Sequence, residues 1–375
     1  MKSIFYFIFC VTSFTCCSQS KQEAASSKPE NIIILTLDGM RWQEVFKGID
    51  TALVNDKKFT KNKSQLLSAY WDEDLEIRRK KLFPFLWTEI NRLGILAGNR
   101  EYDNKIDNKN PYWFSYPGYN EIFTGFPDSA VHSNDKKYNS NVSVLEYLQN
   151  TPDYKNKIAV FATWDVFPFI FNQPRSGIYI NADTTLPSEN DAYSIINDLQ
   201  RLTTRPLNVR PDLLTYIGAR EYIKKNKPKV MYIAFDETDD FAHAGSYDQY
   251  IASAHAEDAM IADLWHTVQS MDEYKDHTSL LITCDHGRGD KVKSQWQHHG
   301  STIQDAHEIW MACMGPKVPN VGELKTSMQL YQAQLAATIA DLLGQKYTAR
   351  HPIFEKIDFN ALRPESNAAT GGKGK

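Results

Sequence analysis

Five short segments bring together carboxylates, imidazoles and one hydroxyl in a 375-residue chain. In Asp236-Glu-Thr-Asp239-Asp240-Phe-Ala-His243, Asp239 and His243 are four apart, which on a helical turn puts them on one face as a chelating pair. Asp236 and Asp240 compete for that role, and aspartates also gather at helix starts simply as caps. Asp285-His286-Gly287 joins an oxygen donor to an imidazole on adjacent residues. Neighbours on a regular strand face opposite ways, so both reach one site only where the chain begins to turn, as Gly287 encourages. Asp38-Gly39 closes an apolar run and taken alone is also ordinary turn chemistry. Trp296-Gln297-His298-His299-Gly300 offers two loop imidazoles, the commonest protein metal ligand. Ser115 stands before Pro117 in Trp113-Phe114-Ser115-Tyr116-Pro117-Gly118-Tyr119, where a first helical turn tolerates proline. Its hydroxyl is then either a plain cap or, with a metal nearby, an ionisable nucleophile at a helix N-terminus. Mixed carboxylate and imidazole donors suit zinc, whereas magnesium or calcium would favour oxygen alone.

The elements that must position these groups are legible as apolar runs of strand length. They are Asn31 to Leu37, Lys157 to Thr163, Lys229 to Phe235, Ser279 to Cys284 and Glu308 to Met314. Between them, Leu82 to Leu93, Val142 to Gln149, Ala192 to Leu202, Pro211 to Lys225, Tyr247 to Met271 and Met328 to Leu343 predict amphipathic helices. Strands alternating with helices predict an α/β fold, a doubly wound, mostly parallel sheet sandwiched by helices. Ligands of such sheets gather outside the carboxyl ends of the strands, where Asp38, Asp236 to His243 and Asp285-His286 fall. The charged stretch Asn55 to Lys81 and the aromatic stretch Glu101 to Phe114 break the alternation, as cap insertions over one rim or as solvated excursions.

Bulk properties narrow the field. The net charge of −4 leaves no electrostatic footprint for nucleic acid, and 42% hydrophobic with 23% charged residues is globular composition. Met1-Lys2 and the apolar run Ile4 to Phe14 read as an export signal too short to span a bilayer. Phe14-Thr15-Cys16-Cys17-Ser18 resembles a bacterial lipoprotein cleavage box, with Cys17 or Cys16 lipidated; ordinary signal cleavage is the alternative. The expected organisation is a signal at 1–17, a polar tether at 18–30, one catalytic domain at 31–360 and a disordered tail at 364–375. An exported, membrane-anchored protein of the periplasm or outer membrane follows. Cys284 and Cys313 alone lie outside the leader, each in a buried run, so no disulfide framework exists.

Asp38, Ser115 ahead of a Pro-Gly turn, Asp239-x-x-x-His243, Asp285-His286-Gly287 and His299-Gly300 occur in the order found in the alkaline phosphatase superfamily. The set is similar above all to its nucleotide pyrophosphatase/phosphodiesterase-like branch, over about Asn31 to Pro316. Carried over by position, the resemblance implies two zinc ions, one held by Asp239, His243 and His299, the other by Asp38, Asp285 and His286 and faced by Ser115. His299 is preferred to His298 because the family histidine precedes glycine. It further implies hydrolysis of a small-molecule phosphate mono- or diester through a phosphoserine intermediate. An Asn about twenty residues after the nucleophile, here Asn134 with Asn139 as fallback, would donate to a phosphoryl oxygen. The branch's usual nucleophile is Thr, and its Phe-Pro-Asn-His run is Tyr116-Pro117-Gly118-Tyr119 here, which weakens transfer of nucleotide specificity. No clear phosphate-clamping Arg is seen; Lys136, Lys137, Arg41 and Arg288 are the substitutes available. Competing readings are a sulfatase, against which Tyr119 stands where that signature has Arg; a phosphoglycerate-mutase-like phosphotransferase, against which export argues; and a non-enzymatic binding lipoprotein.

Overall fold

The computed structural model describes residues 30–187, 191–205 and 209–363; the leader, most of the tether and the tail lie outside the described residues. In chain order the strands are β1 (Asn31–Leu37), β2 (Gly94–Ala97), β3 (Asn104–Asp107), β4 (Ile158–Ala162), β5 (Tyr179–Ala182), β6 (Val230–Phe235), β7 (Thr278–Thr283), β8 (Glu308–Ile309), β9 (Met311–Met314), β10 (Gly322–Glu323) and β11 (Met328–Tyr331). Eight form one sheet in the order β10-β2-β9-β7-β1-β6-β4-β5, and β11-β3-β8 form a smaller one. The large sheet is parallel except for β9, which runs against both β7 and β2. Every residue of β1, β4, β6 and β7 is buried, as expected for strands covered on both faces. Each fully buried Ile or Leu, such as Ile34, Leu35, Ile233 and Leu281, contributes roughly 1.5–3 kcal/mol.

The helices Val144–Gln149, Asp191–Leu202, Asp212–Asn226, Tyr247–Gln269 and Leu335–Leu342 flank this sheet. No described helix is long and apolar enough to cross a membrane. Three elements depart from the sequence expectation. The run from Glu308 to Met314 is two strands: Trp310 turns into the core, its indole donating to the Met40 carbonyl at 3.0 Å, and splits the run between the two sheets. The stretch from Met328 to Leu343 is helical only from Leu335; its first residues pair with β3, and a 3-10 turn at Gln332–Gln334 joins the parts. The expected helix from Leu82 to Leu93 begins only at Pro84 and runs on to Leu93, because a residue before proline, here Phe83 (φ −123°, ψ 72°), is pushed out of helical geometry. One helix ends at Leu82, and a π turn spans Leu86–Ile90.

The charged stretch from Asn55 to Lys81 supplies two helices, Lys63–Tyr70 and most of Leu75–Leu82. The segment from Glu101 to Phe114 supplies the central strand of the small sheet. Cys284 and Cys313 are both free and buried. Cys313 opposes Leu281 across β7 and β9, so Cys284 lies three residues along, about 10 Å at strand rise, beyond disulfide reach.

Candidate active site

The strands β7, β1 and β6 are adjacent and parallel, so their carboxyl ends meet at one edge. Leu37 pairs with Phe235 and Thr36 with Thr283, so Asp38, Asp236 and Asp285 all follow within two residues of the last rungs. After Asp236 the chain enters the helix Glu237–His243, which carries Asp239 and His243 on one face. Two groups of possible ligand atoms lie within 4.8 Å of one another: Asp239, His243 and His299, and Asp38, Asp239 and His286. Asp239 belongs to both. Its Oδ2 is 3.2 Å from His243 Nε2, and its Oδ1 is 3.7 Å from His299 Nε2 and 3.8 Å from His286 Nε2. His243 and His299 bring their Nε2 atoms to 2.9 Å.

His286 is fully buried, and its Nδ1 lies 2.9 Å from the Gly287 carbonyl, a bond that puts the proton on Nδ1. The lone pair of Nε2 then faces Asp38 Oδ1 and Asp285 Oδ2, each at 3.4 Å, and Ser115 Oγ at 3.4 Å. Both of those carboxylate oxygens are buried without a hydrogen-bond partner. Asp285 adjoins the second group without entering it, its Oδ1 accepting the Gly39 N–H at 3.1 Å. Burial, with Asp285 and Asp239 close by, pushes the Asp38 carboxyl well above the usual range. Burial acts on Asp239 in the same sense, but Arg288, aided by His243 and His299, outweighs it and holds that carboxyl low. Burial, with His286 alongside, drives the His299 imidazole down to about 2, which keeps it in the neutral form a metal requires. Orphaned carboxylate oxygens facing imidazole lone pairs make an arrangement that a divalent cation completes.

Ser115 is the first residue of the helix Ser115–Thr124, and the cap residue, Phe114, has no side-chain bond to that end. The serine hydroxyl is therefore not spent on capping and turns to His286. The backbone amide of Tyr116 in that first turn is bonded instead by Asn134 Oδ1, at 3.0 Å. Asn134 is thus held beside Ser115 and is exposed, whereas Asn139 is buried and donates to Asn120 at 3.0 Å. His298 is exposed and extended (φ −126°, ψ 154°), so the alternation of an extended chain sends His299 the other way, into the cluster. Asp240 and Asp236 lie against the cluster but in neither ligand group.

Several supporting residues escaped the sequence reading. Tyr119 donates its hydroxyl to Asp38 Oδ2 at 2.7 Å, and Thr238 donates to the Asp38 carbonyl at 2.7 Å. A Cβ on Gly118 would stand 2.4 Å from the Asp285 carbonyl oxygen, so glycine is needed for the Ser115 helix to approach that strand end. Of the four suggested phosphate clamps, Arg288 is buried, pairs with Asp239 and donates to the Gln297 carbonyl at 2.8 Å. Arg41 is buried against Glu44, and Lys136 pairs with Asp165 at 2.6 Å. Lys137 is exposed, its carbonyl accepting from the Tyr116 hydroxyl.

Residues 210–347 match the family model of the Metalloenzyme superfamily, a span that includes Asp239, His243, Asp285, His286 and His299. No curated protein matches the chain. Among solved structures, the wild-type alkaline phosphatase PafA superposes with a TM-score of 0.60 at 11% identity, covering 89% of this chain and 99% of its own. The chain has an alkaline-phosphatase-like fold. The same fold is shared with the lipoteichoic acid synthase LtaP from Listeria monocytogenes (TM-score 0.56, 14% identity, 87% of this chain and 74% of that one). It is shared too with murine ectonucleotide pyrophosphatase/phosphodiesterase 5, solved with AMP (TM-score 0.51, 12% identity, 87% and 97%).

Proposed function

We propose that this alkaline-phosphatase-like protein is a metal-dependent hydrolase of phosphate esters that uses Ser115 as nucleophile. The observation that carries the proposal is the Ser115 hydroxyl, free of capping duty and 3.4 Å from His286 Nε2, the same nitrogen that lies 3.4 Å from the orphaned oxygens of Asp38 and Asp285. Asp239, His243 and His299 would hold one divalent cation, and Asp38, Asp285 and His286, with Asp239 alongside, the other. Zinc suits this donor set, and when bound it would supply Lewis-acid stabilisation of the phosphoryl oxygens and a lowered pKa for the serine hydroxyl.

The chain's own residues have defined tasks. Ser115 attacks the phosphorus in line and displaces one alkoxide, which leaves as the alcohol with the proton the serine gives up; water then cleaves the Ser115–phosphoryl bond, releasing a phosphate monoester from a diester substrate or phosphate from a monoester. Asn134 directs its amide N–H toward a phosphoryl oxygen. The helix N-terminus beneath Ser115 favours the negative charge that gathers there. With Arg41, Arg288 and Lys136 already paired, Lys137 is the one of the four suggested clamps without an ion pair among the described residues, a sparse supply of positive charge that favours the singly charged diester over the dianionic monoester. We further propose that the protein is exported and lipid-anchored through the cysteine box at Cys16-Cys17.

The test compares zinc-loaded wild type with Ser115→Ala on p-nitrophenyl phosphate, bis-p-nitrophenyl phosphate and p-nitrophenyl sulfate. The expected result is diester turnover that the variant abolishes while retaining both metals. Undiminished turnover in Ser115→Ala would remove the serine from the mechanism, and hydrolysis of the sulfate alone would replace the phosphate reading by a sulfatase.

A further inference from the structure

The helix that presents Ser115 also delivers a second group to the site. Tyr119 lies four residues on, about one turn and hence on the same side of the helix. It is 1% exposed, with its ring edge-on to Phe167 at 4.8 Å and its hydroxyl 2.7 Å from Asp38 Oδ2. The other oxygen of that carboxylate, Oδ1, is buried, has no hydrogen-bond partner and is 3.4 Å from His286 Nε2. Asp38 is therefore divided: one oxygen is engaged by a phenol and the other is left for a cation. Its backbone is held as well, through the Thr238 hydroxyl.

We propose that Tyr119 is a positioning residue for the metal centre, fixing Asp38 Oδ2 so that Oδ1 alone is presented as a ligand on the His286 side. The inference rests on the two-metal reading above and adds to it a hydrogen-bond partner of the ligand Asp38, supplied by the Tyr116-Pro117-Gly118-Tyr119 run. A carboxylate free to rotate must lose that freedom on binding a cation, whereas one already hydrogen-bonded has lost it on folding. Removing such a partner from a metal-ligating side chain typically weakens the metal about 10–100-fold. A purely structural role for Tyr119, packing against Phe167, predicts no such selectivity.

The experiment titrates zinc into metal-free wild type, Tyr119→Phe and Asp38→Asn, using a competing chelator to read two affinities, and follows thermal unfolding of each metal-free chain. Phenylalanine keeps the ring and its contact with Phe167 and deletes only the hydroxyl. The expected result is a weaker affinity at the one site that Asp38→Asn also impairs, by about 10–100-fold, with the other site unchanged. Tyr119→Phe with both affinities at wild-type values, while Asp38→Asn loses one, overturns the role of Tyr119 and leaves the metal centre standing. A wild type that takes up fewer than two ions, or an Asp38→Asn protein that binds both normally, overturns the two-metal reading and this inference with it. If Tyr119→Phe weakens both sites equally and lowers the metal-free melting temperature, the residue is a packing element and the positioning role is refuted.

Discussion

The close approach of the Ser115 helix to the strand end at Asp285 can be tested with a single methyl group. In Gly118→Ala the new Cβ would stand 2.4 Å from the Asp285 carbonyl oxygen, 3.0 Å from its carbonyl carbon and 3.2 Å from its Cβ. All three atoms belong to a strand end packed in the core, so none can swing aside. Even attractive carbon–oxygen contacts settle near 3.3–3.6 Å, so the helix must retreat by about 1 Å. Two terms then oppose each other in stability. Alanine gains about 1 kcal/mol over glycine inside a helix, and overpacking costs about 1–3 kcal/mol, leaving a net loss between about zero and 2 kcal/mol. Activity is under no such compensation. The same retreat carries Ser115 away from His286 and the carboxylates, and a misplacement of about 1 Å costs on the order of 100-fold in rate. The expected phenotype is therefore a protein that unfolds in urea almost as the wild type does, binds zinc, and turns over p-nitrophenyl esters about 100-fold more slowly. A Gly118→Ala protein with wild-type turnover would refute the argument that this glycine sets the nucleophile's distance.

Two further outcomes follow from the site and its surroundings. His299→Ala should lose one zinc ion and nearly all turnover, while His298→Ala should retain both, because only His299 enters the ligand cluster; metal analysis of the two purified variants decides, and equal losses would contradict the assignment. Burial pushes the carboxyls of Glu121, Asp212 and Asp258 up to about 7. The folded chain thus keeps protons that the unfolded chain, titrating near 4, has released, so their stabilisation is whole below about pH 4 and is lost as the pH rises through about 7. Metal-free protein should accordingly unfold at lower urea at pH 8 than at pH 5, and Asp258→Asn, which cannot ionise, should flatten part of that slope. A urea midpoint that holds or rises over the same interval would show these carboxyls to be ionised without cost.

The parts of this protein readable from sequence are those whose cause is local. Continuous apolar runs mark buried strands because a strand covered on both faces needs no polar alternation, and Asp38, Asp236 and Asp285 stand out because each follows such a run. The Asp239/His243 pair is legible because four residues make about one helical turn. Elements that owe their state to a distant partner were misread: Met328–Tyr331 is a strand through pairing with β3, and Glu308–Met314 is broken by the burial of Trp310 against Met40.

By itself, then, the sequence determined a mostly parallel α/β fold, a supply of carboxylate and imidazole donors at strand ends, and a serine at a helix start. Tertiary structure alone decided how these meet. The order β7-β1-β6 makes three strand ends neighbours, although the end of β1 precedes those of β6 and β7 by some two hundred residues or more along the chain. The shared place of Asp239 in both ligand groups, the inward turn of His299 and the donation from Tyr119 to Asp38 depend on distances across that edge. So does the need for glycine at 118, whose reason is the Asp285 carbonyl just beyond the end of β7. No local pattern encodes such contacts, because the physical cause in each case is the proximity of a residue that only the folded sheet brings near.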